Sequence, residues 1–261
     1  MHIENGKVLQ HIPIGAGYKV LTLELPVIAA AARPGQFIHL RIASLPDAVL
    51  RRPFSIYRVE GGTLSILYKA VGRGTEAMQP LASGEILSVL GPLGNGFPLP
   101  LPAGRTPVLV AGGYGVAPLY YLARKLQTKG VLFVGGAKAA DVLLEDEFRA
   151  LGWDVEIATE DGSRGVKGLV TVPLDAWIKT GRTESALECF ACGPNGLMKA
   201  LGHRAVEGGF KAWLSLDRHM GCGVGACLAC VQKVRIDGED TLVRVCKEGP
   251  VFEARDVIWE D

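Results

Sequence analysis

The sequence predicts a multi-domain β + α/β chain: an antiparallel β-barrel, a doubly wound parallel sheet and a small cysteine-rich C-terminal region. Three observations predict it. Residues 3–100 carry short apolar stretches of period two, broken by Gly and Pro. From residue 107 onward apolar strands alternate with helical patterns. After residue 213 that rhythm gives way to four clustered cysteines and two short strands.

The barrel strands are expected at 7–14, 18–25, 36–42, 63–70 and 86–90, with one helical turn at 74–78. A Pro-rich stretch at 98–104 reads as a linker. The second region then runs through a strand at 107–111, a Gly-rich turn and a helix at 117–127. It continues with a strand at 131–134, a helix at 143–151, and further apolar segments at 155–158, 172–179 and 187–191. A helix at 195–207 completes it. The last strands are expected at 231–236 and 241–245. The resulting boundaries are 1–102, 103–213 and 214–261. Glycine, 34 residues in all, clusters near 61–62, 72–74, 91–96, 111–115 and 221–225, each at the end of an apolar run. Such positions supply positive φ or a close approach to something bound.

A chain of 261 residues, 48% apolar, can build substantial cores. Its net charge of +1, with acids and bases interspersed, argues against a nucleic-acid surface. No apolar run approaches the roughly 20 residues that span a bilayer. The N-terminus lacks the basic-then-apolar pattern of a signal peptide. A cytoplasmic location follows as an expectation, and there six cysteines point to metal or redox chemistry rather than structural disulfides.

Residues 222–230 read Cys-Gly-Val-Gly-Ala-Cys-Leu-Ala-Cys, and Cys246 follows after fifteen intervening residues. C-x4-C-x2-C with a distant fourth cysteine is the plant-type spacing for two irons, so Cys222, Cys227, Cys230 and Cys246 are candidate ligands of a [2Fe–2S] cluster. Gly221, Gly223 and Gly225 let backbone N–H groups turn onto the sulfurs, stabilising the charge added on reduction. A structural zinc site is the alternative, although zinc ribbons favour paired C-x2-C knuckles. Cys189 and Cys192 form a second C-x2-C. Cys189 reads as a core residue of a strand. Cys192 ends that strand beside Gly193-Pro194, where ligands sit in open α/β sheets.

Arg52-Pro53-Phe54-Ser55 follows a predicted barrel strand. An Arg can hold a pyrophosphate bidentately, and the Ser can reach a ring nitrogen. A solvated Arg is the plain alternative. Leu67-Tyr68-Lys69 and Gly74-Thr75 add weight to the first reading.

Taken together, these stretches resemble the ferredoxin-reductase superfamily. The resemblance rests on Arg52 to Ser55, on Gly112-Gly113-Tyr114-Gly115-Val116-Ala117-Pro118 and on Cys192-Gly193-Pro194. Within the superfamily the chain is most similar to the electron-transfer subunits of two-subunit, NAD-linked dihydroorotate dehydrogenases. The segments Thr159-Glu160-Asp161-Gly162-Ser163 and Val245-Cys246-Lys247-Glu248-Gly249-Pro250-Val251-Phe252 carry that likeness. The resemblance implies FAD held by Arg52, Pro53, Phe54, Ser55, Leu67, Tyr68, Lys69, Gly74 and Thr75. It implies NAD near Gly112, Gly113, Gly115, Cys192, Gly193 and Pro194. Tyr114 departs from the small residue usual in that turn and would narrow the site or stack on something bound. Glu160 and Asp161 end the third strand of the sheet, where their charge suits a ribose diol over a 2′-phosphate; Arg164 close by leaves NADP open.

The three regions would then be FAD-, NAD- and cluster-binding domains. Electrons would run between NADH, FAD and the cluster, since a flavin takes two electrons and can release them singly. Hydride transfer to a flavin needs no protein acid or base, so no catalytic residue is nominated. Of the five histidines, His219 alone lies near the cysteine loop in sequence. The implied partner is an FMN-containing catalytic subunit oxidising dihydroorotate to orotate, in a heterotetramer of two of each. Rival readings are the small subunit of a bifurcating NADH-dependent transhydrogenase or a sulfhydrogenase, and a non-catalytic adaptor with a structural metal.

Overall fold

The computed structural model describes residues 1–42, 45, 49–180 and 186–259. Six strands close into an antiparallel barrel in the order β1-β2-β5-β4-β3-β6. They are β1 (His2–Gly15), β2 (Tyr18–Glu24), β3 (Phe37–Leu40), β4 (Arg52–Glu60), β5 (Thr63–Lys69) and β6 (Ile86–Leu93). Period-two alternation puts Leu21, Leu23, Ile38, Leu40, Ile56, Leu64, Ile66 and Val89 inside it. Helix α1 (Pro26–Ala31) covers one end, with Ile28 buried and Pro26 at its first turn. The Glu4 carboxylate accepts its Val27 and Ile28 N–H groups, at 3.2 and 2.9 Å. A second short helix, α2 (Arg73–Ala77), sits between β5 and β6.

A seven-stranded sheet follows, in the order β10-β9-β8-β7-β11-β12-β15. Its parallel strands are β7 (Thr106–Gly112), β8 (Val131–Gly136), β9 (Asp154–Thr159), β10 (Val166–Lys167), β11 (Leu187–Cys192) and β12 (Lys211–Ser215). Helices α3 (Val116–Lys125), α4 (Glu145–Ala150), α5 (Thr171–Ile178) and α6 (Asn195–Glu207) connect them. Val116 through Ala123 of α3 are all buried because the helix is pressed between the sheet and the barrel. Tyr120 packs at 5.0 Å against Tyr57 of β4 with its ring tilted, and the Tyr121 hydroxyl donates to the Ala32 carbonyl at 3.1 Å. The barrel and the sheet therefore share a wall.

The C-terminal region forms the hairpin β13 (Val231–Ile236) and β14 (Glu239–Arg244). Asp237 and Gly238, at φ 52° and 86°, make its turn. The chain then returns, and β15 (Val251–Glu253) adds antiparallel to β12 at the sheet edge. Asn95, just beyond β6, ties this return to the barrel: its N–H donates to the Gly249 carbonyl at 2.6 Å and its amide to the Glu248 carbonyl at 2.9 Å.

Candidate functional site

Three segments of chemical interest converge on the junction of barrel, sheet and hairpin. The cysteine loop lies at its centre. Gly223 and Gly225 take φ of 72° and 84°, a conformation open to glycine at no steric cost. The loop backbone thereby curls around the Cys222 sulfur, which accepts N–H groups from Ala226 at 3.2 Å, Cys227 at 3.4 Å and Val224 at 3.5 Å. The Cys222 N–H donates in turn to the Cys227 sulfur at 3.4 Å. On the far side, the Cys246 N–H reaches the Cys230 sulfur at 3.4 Å. Among the described residues no three His, Cys, Asp or Glu side chains converge as they would on a single ion. The thiols form two pairs instead, Cys222 with Cys227 and Cys230 with Cys246. Two thiolates for each of two irons is the donor set of a [2Fe–2S] cluster, so these residues fit that group.

The two pairs sit in different surroundings. Burial opposes ionisation at Cys222, but the N–H groups of Val224, Cys227 and Ala226 prevail and bring its thiol down to about 6. Burial and then Cys230 push Cys246 up to about 12. One pair is open to solvent, with Cys227 exposed, while Cys230 and Cys246 are buried against Phe37 of β3.

The barrel side of the junction is β4. Pairing of Pro53 with His39 and of Ser55 with Phe37 puts these four side chains on the outer face, toward the cysteine loop. Arg52 runs along Gly74, where a Cβ would stand 2.9 Å from its Nε. Gly74 thus lets the guanidinium lie across the start of α2. The Thr75 hydroxyl accepts the N–H groups of Val71 at 2.9 Å and Gly72 at 3.2 Å, so it holds this loop in shape.

The β5 residues divide. Leu67 packs toward the sheet, whereas Tyr68 lies inside the barrel, bonded to His11 at 2.9 Å and edge-on to Phe54. Burial pushes the Tyr68 hydroxyl up to about 12. Lys69 leaves the barrel and pairs with Asp141 at 2.9 Å, its ammonium 4.6 Å from the centre of the Tyr18 ring.

The nucleotide side is the turn from β7 into α3. A Cβ on Gly115 would fall 2.3 Å from the Cys192 carbonyl oxygen, and one on Gly112 would fall 2.6 Å from Pro194 Cδ. Glycine at both places seats the turn directly on Cys192-Gly193-Pro194, at the carboxyl ends of adjacent strands β7 and β11. Tyr114 stands half-exposed over this junction. Cys189 and Cys192 pack into cores on opposite sides of the sheet, so they form no dithiol. Burial first, with the Glu188 charge beside Cys189 and Asp217 beside Cys192, keeps both protonated, pushing Cys192 up to about 12 against the opposing Ser215 hydroxyl.

After β9, Asp161 accepts from the Ser163 N–H at 2.9 Å and hydroxyl at 2.6 Å, which hold its carboxyl below the usual range. Glu160 stays exposed. Arg164, a cation suited to a 2′-phosphate, is bonded to Glu145 and already engaged.

The Tyr18, Lys69 and Asp141 network spans from barrel to sheet. The Tyr18 hydroxyl donates to the same Asp141 oxygen at 2.8 Å. Lys69 first, and Tyr18 after it, hold the Asp141 carboxyl below its usual value despite burial. A depressed folded pKa contributes stability that is complete above the unfolded value, about 3.9, and is lost as pH falls through the lower folded value. Asp141→Asn is expected to cost about 1–2 kcal/mol at pH 7, a figure discounted for the partial exposure of Lys69. Urea unfolding should show that deficit shrinking below about pH 3.9.

Residues 217–258 match the family described as the iron-sulfur cluster binding domain of dihydroorotate dehydrogenase B. The chain is 37% identical to the dihydroorotate dehydrogenase B (NAD(+)) electron transfer subunit of Desulforamulus reducens, over 98% of each chain. It belongs to that family. The electron transfer subunit of Geobacillus thermodenitrificans is 43% identical over 91% of each chain. Among solved structures, an NADH-dependent reduced ferredoxin-NADP oxidoreductase studied for flavin-based electron bifurcation superposes with a TM-score of 0.83. It is 28% identical and covers 98% of this chain and 90% of that one.

A dihydroorotate dehydrogenase B electron transfer subunit is an oxidoreductase component with FAD, NAD and a [2Fe–2S] cluster as cofactors. As an electron transfer subunit it implies a catalytic partner. No described helix is long and apolar enough to cross a membrane. Two residues of the junction escape a sequence reading. Asp141 has no motif around it. His39 left one signal, a polar residue in an otherwise apolar strand, and it lies buried against the cysteine loop.

Proposed function

We propose that the chain relays electrons between NAD(H), FAD and a [2Fe–2S] cluster, and exchanges them with an FMN-containing catalytic subunit. That subunit oxidises dihydroorotate to orotate in pyrimidine biosynthesis, within a cytoplasmic assembly of two of each subunit. The observation that carries the reading is the junction itself. The outer face of β4, the β7–α3 turn and the cysteine loop meet there, the first and last within one side chain of each other through His39 and Gly223.

FAD supplies the exchange between two-electron hydride transfer and the single electrons that a cluster accepts. Arg52 binds the pyrophosphate, while Pro53 and Ser55 position the ring edge; Phe54 and Tyr68, whose rings lie inside the barrel, serve it through their main chain, and Leu67, Lys69, Gly74 and Thr75 shape the remainder. The three turn glycines, Gly112, Gly113 and Gly115, with Cys192, Gly193 and Pro194, bring the nicotinamide to the same junction. No side chain needs to move a proton. Orientation across the cleft is the contribution of the protein. Cys222, Cys227, Cys230 and Cys246 ligate the cluster, and the three regions 1–102, 103–213 and 214–261 bind FAD, NAD and cluster in turn.

The outward face of the loop is the place where the partner docks. Cys227 is exposed, Leu228 and Val224 present apolar surface, and an open concavity of about 300 Å³ lies between Met1, Leu93, Val224 and Cys246. Mixed with a dihydroorotate-oxidising subunit, the chain should coelute with it and confer NAD+ reduction by dihydroorotate. Absence of both would refute the assignment. Cofactor choice has its own test: converting Glu160 to Ser and Asp161 to Asn removes two charges and should narrow the preference for NADH over NADPH about tenfold. Steady-state KM values for the two nucleotides measure it.

A further inference from the structure

His39 sits in β3, wholly buried, and neither ring nitrogen has a hydrogen-bond partner among the described residues. Buried polar atoms left unpaired are costly, so a native site that holds two on one ring calls for a partner. Among the described residues none is supplied. Cross-strand neighbours Pro53 and Leu90 are apolar, and the Phe37 ring lies at 5.6 Å. Arg51 is the nearby charge, but it donates to Ser88 at 2.7 and 2.9 Å and has no acceptor to offer.

One face of the ring lies against Gly223 of the cysteine loop, which leaves the two nitrogens at the rim of this contact. A Cβ on Gly223 would stand 2.6 Å from Cε1, 2.8 Å from Nδ1 and 3.0 Å from Nε2. Gly223 follows Cys222, whose sulfur already gathers three backbone N–H donors. Burial first and Arg51 second bring the ring down to about 4, so it is neutral, with one N–H to give.

We propose that the His39 imidazole donates a hydrogen bond to a sulfur of the bound cluster beside Cys222, a contact from the barrel that completes the N–H cradle of the loop. The inference rests on the cysteine ligand assignment above. A donor to cluster sulfur stabilises the electron added on reduction. His39 would then set the cluster potential from the strand next to the flavin motif.

The test uses the full chain holding its FAD and cluster. His39→Leu removes the donor and should shift the reduction equilibrium of the cluster about tenfold toward the oxidised form, about 59 mV more negative for one electron. His39→Gln, which keeps an N–H, should recover most of that shift. A potential in His39→Leu equal to that of the unaltered protein, with iron content intact, would overturn the proposal. Should His39→Leu fail to load, pulsed EPR of the reduced, unsubstituted protein grown with 15N-histidine decides. Weak coupling to one histidine nitrogen, retained in His219→Gln and lost in His39→Gln, supports it. No histidine coupling refutes it while leaving the ligand assignment standing. An iron-free preparation would defeat the ligand assignment itself, and this inference with it.

Discussion

Replacing Cys246 with alanine should strip the protein of iron and leave its flavin in place. Cys246 is buried in an apolar cluster with Phe37, Leu93 and Cys230, so alanine keeps the packing and removes only a sulfur. The backbone contact from residue 246 to the Cys230 sulfur survives, because its donor is main-chain N–H. What is lost is one of two thiolates on an iron, and the cluster has no neighbouring replacement. The remaining cysteines outside the four, Cys189 and Cys192, belong to β11. Colorimetric iron should fall from about two per chain to less than about 0.2, and electron delivery to a one-electron acceptor at least about 100-fold. Reduction of FAD by NADH should persist, since Arg52 to Ser55 and the β7–α3 turn are untouched. Cys189→Ala provides the contrast and should keep its iron. Full iron in Cys246→Ala would mean that another residue ligates.

How much of this site the sequence discloses depends on the range of the interaction that fixes each part. The cysteine loop is legible because three of the four ligands and its positive-φ glycines lie within nine residues of chain, 222–230. The barrel strands announce themselves through period two, except β4. That strand opens on Arg-Pro, and several of its side chains are half-buried against the rest of the protein, so its apolar alternation is weak. Helix α1 is six residues and β15 is three, too short for a period to show. The segment at 172–179 is apolar enough to continue a run of strands, yet it lies in helix α5. Tyr68 shows the limit of a motif. It stands in sequence between two residues that leave the barrel, but strand alternation turns it inward onto His11 and Phe54. The partners that complete the junction come from far along the chain. Asp141 reaches Lys69 across 72 positions and Tyr18 across 123, and no local pattern encodes such pairs.

Arg52→Ala should weaken FAD binding about 10- to 150-fold. The estimate takes the pyrophosphate contact as a charge-assisted hydrogen bond worth about 1.5–3 kcal/mol, with 1.4 kcal/mol per tenfold in affinity. The side chain is free to serve a ligand because the fold asks little of it. Among the described residues its Nη1 donates to the nearby Leu50 carbonyl at 2.9 Å and, at 3.5 Å, to that of Arg51, and its stem lies along Gly74. Thermal unfolding of the flavin-free protein should therefore be nearly unchanged by the substitution, which separates a binding effect from a folding one. Arg52→Lys should fall between, because an ammonium keeps the charge and loses the planar fork. Gly74→Ala offers an independent arm. It leaves Arg52 intact but places a Cβ 2.9 Å from its Nε, displacing the guanidinium and reproducing part of the loss. Titration of FAD into flavin-free protein measures all three. Unaltered affinity in Arg52→Ala would place the pyrophosphate elsewhere on the barrel and remove β4 from the electron path.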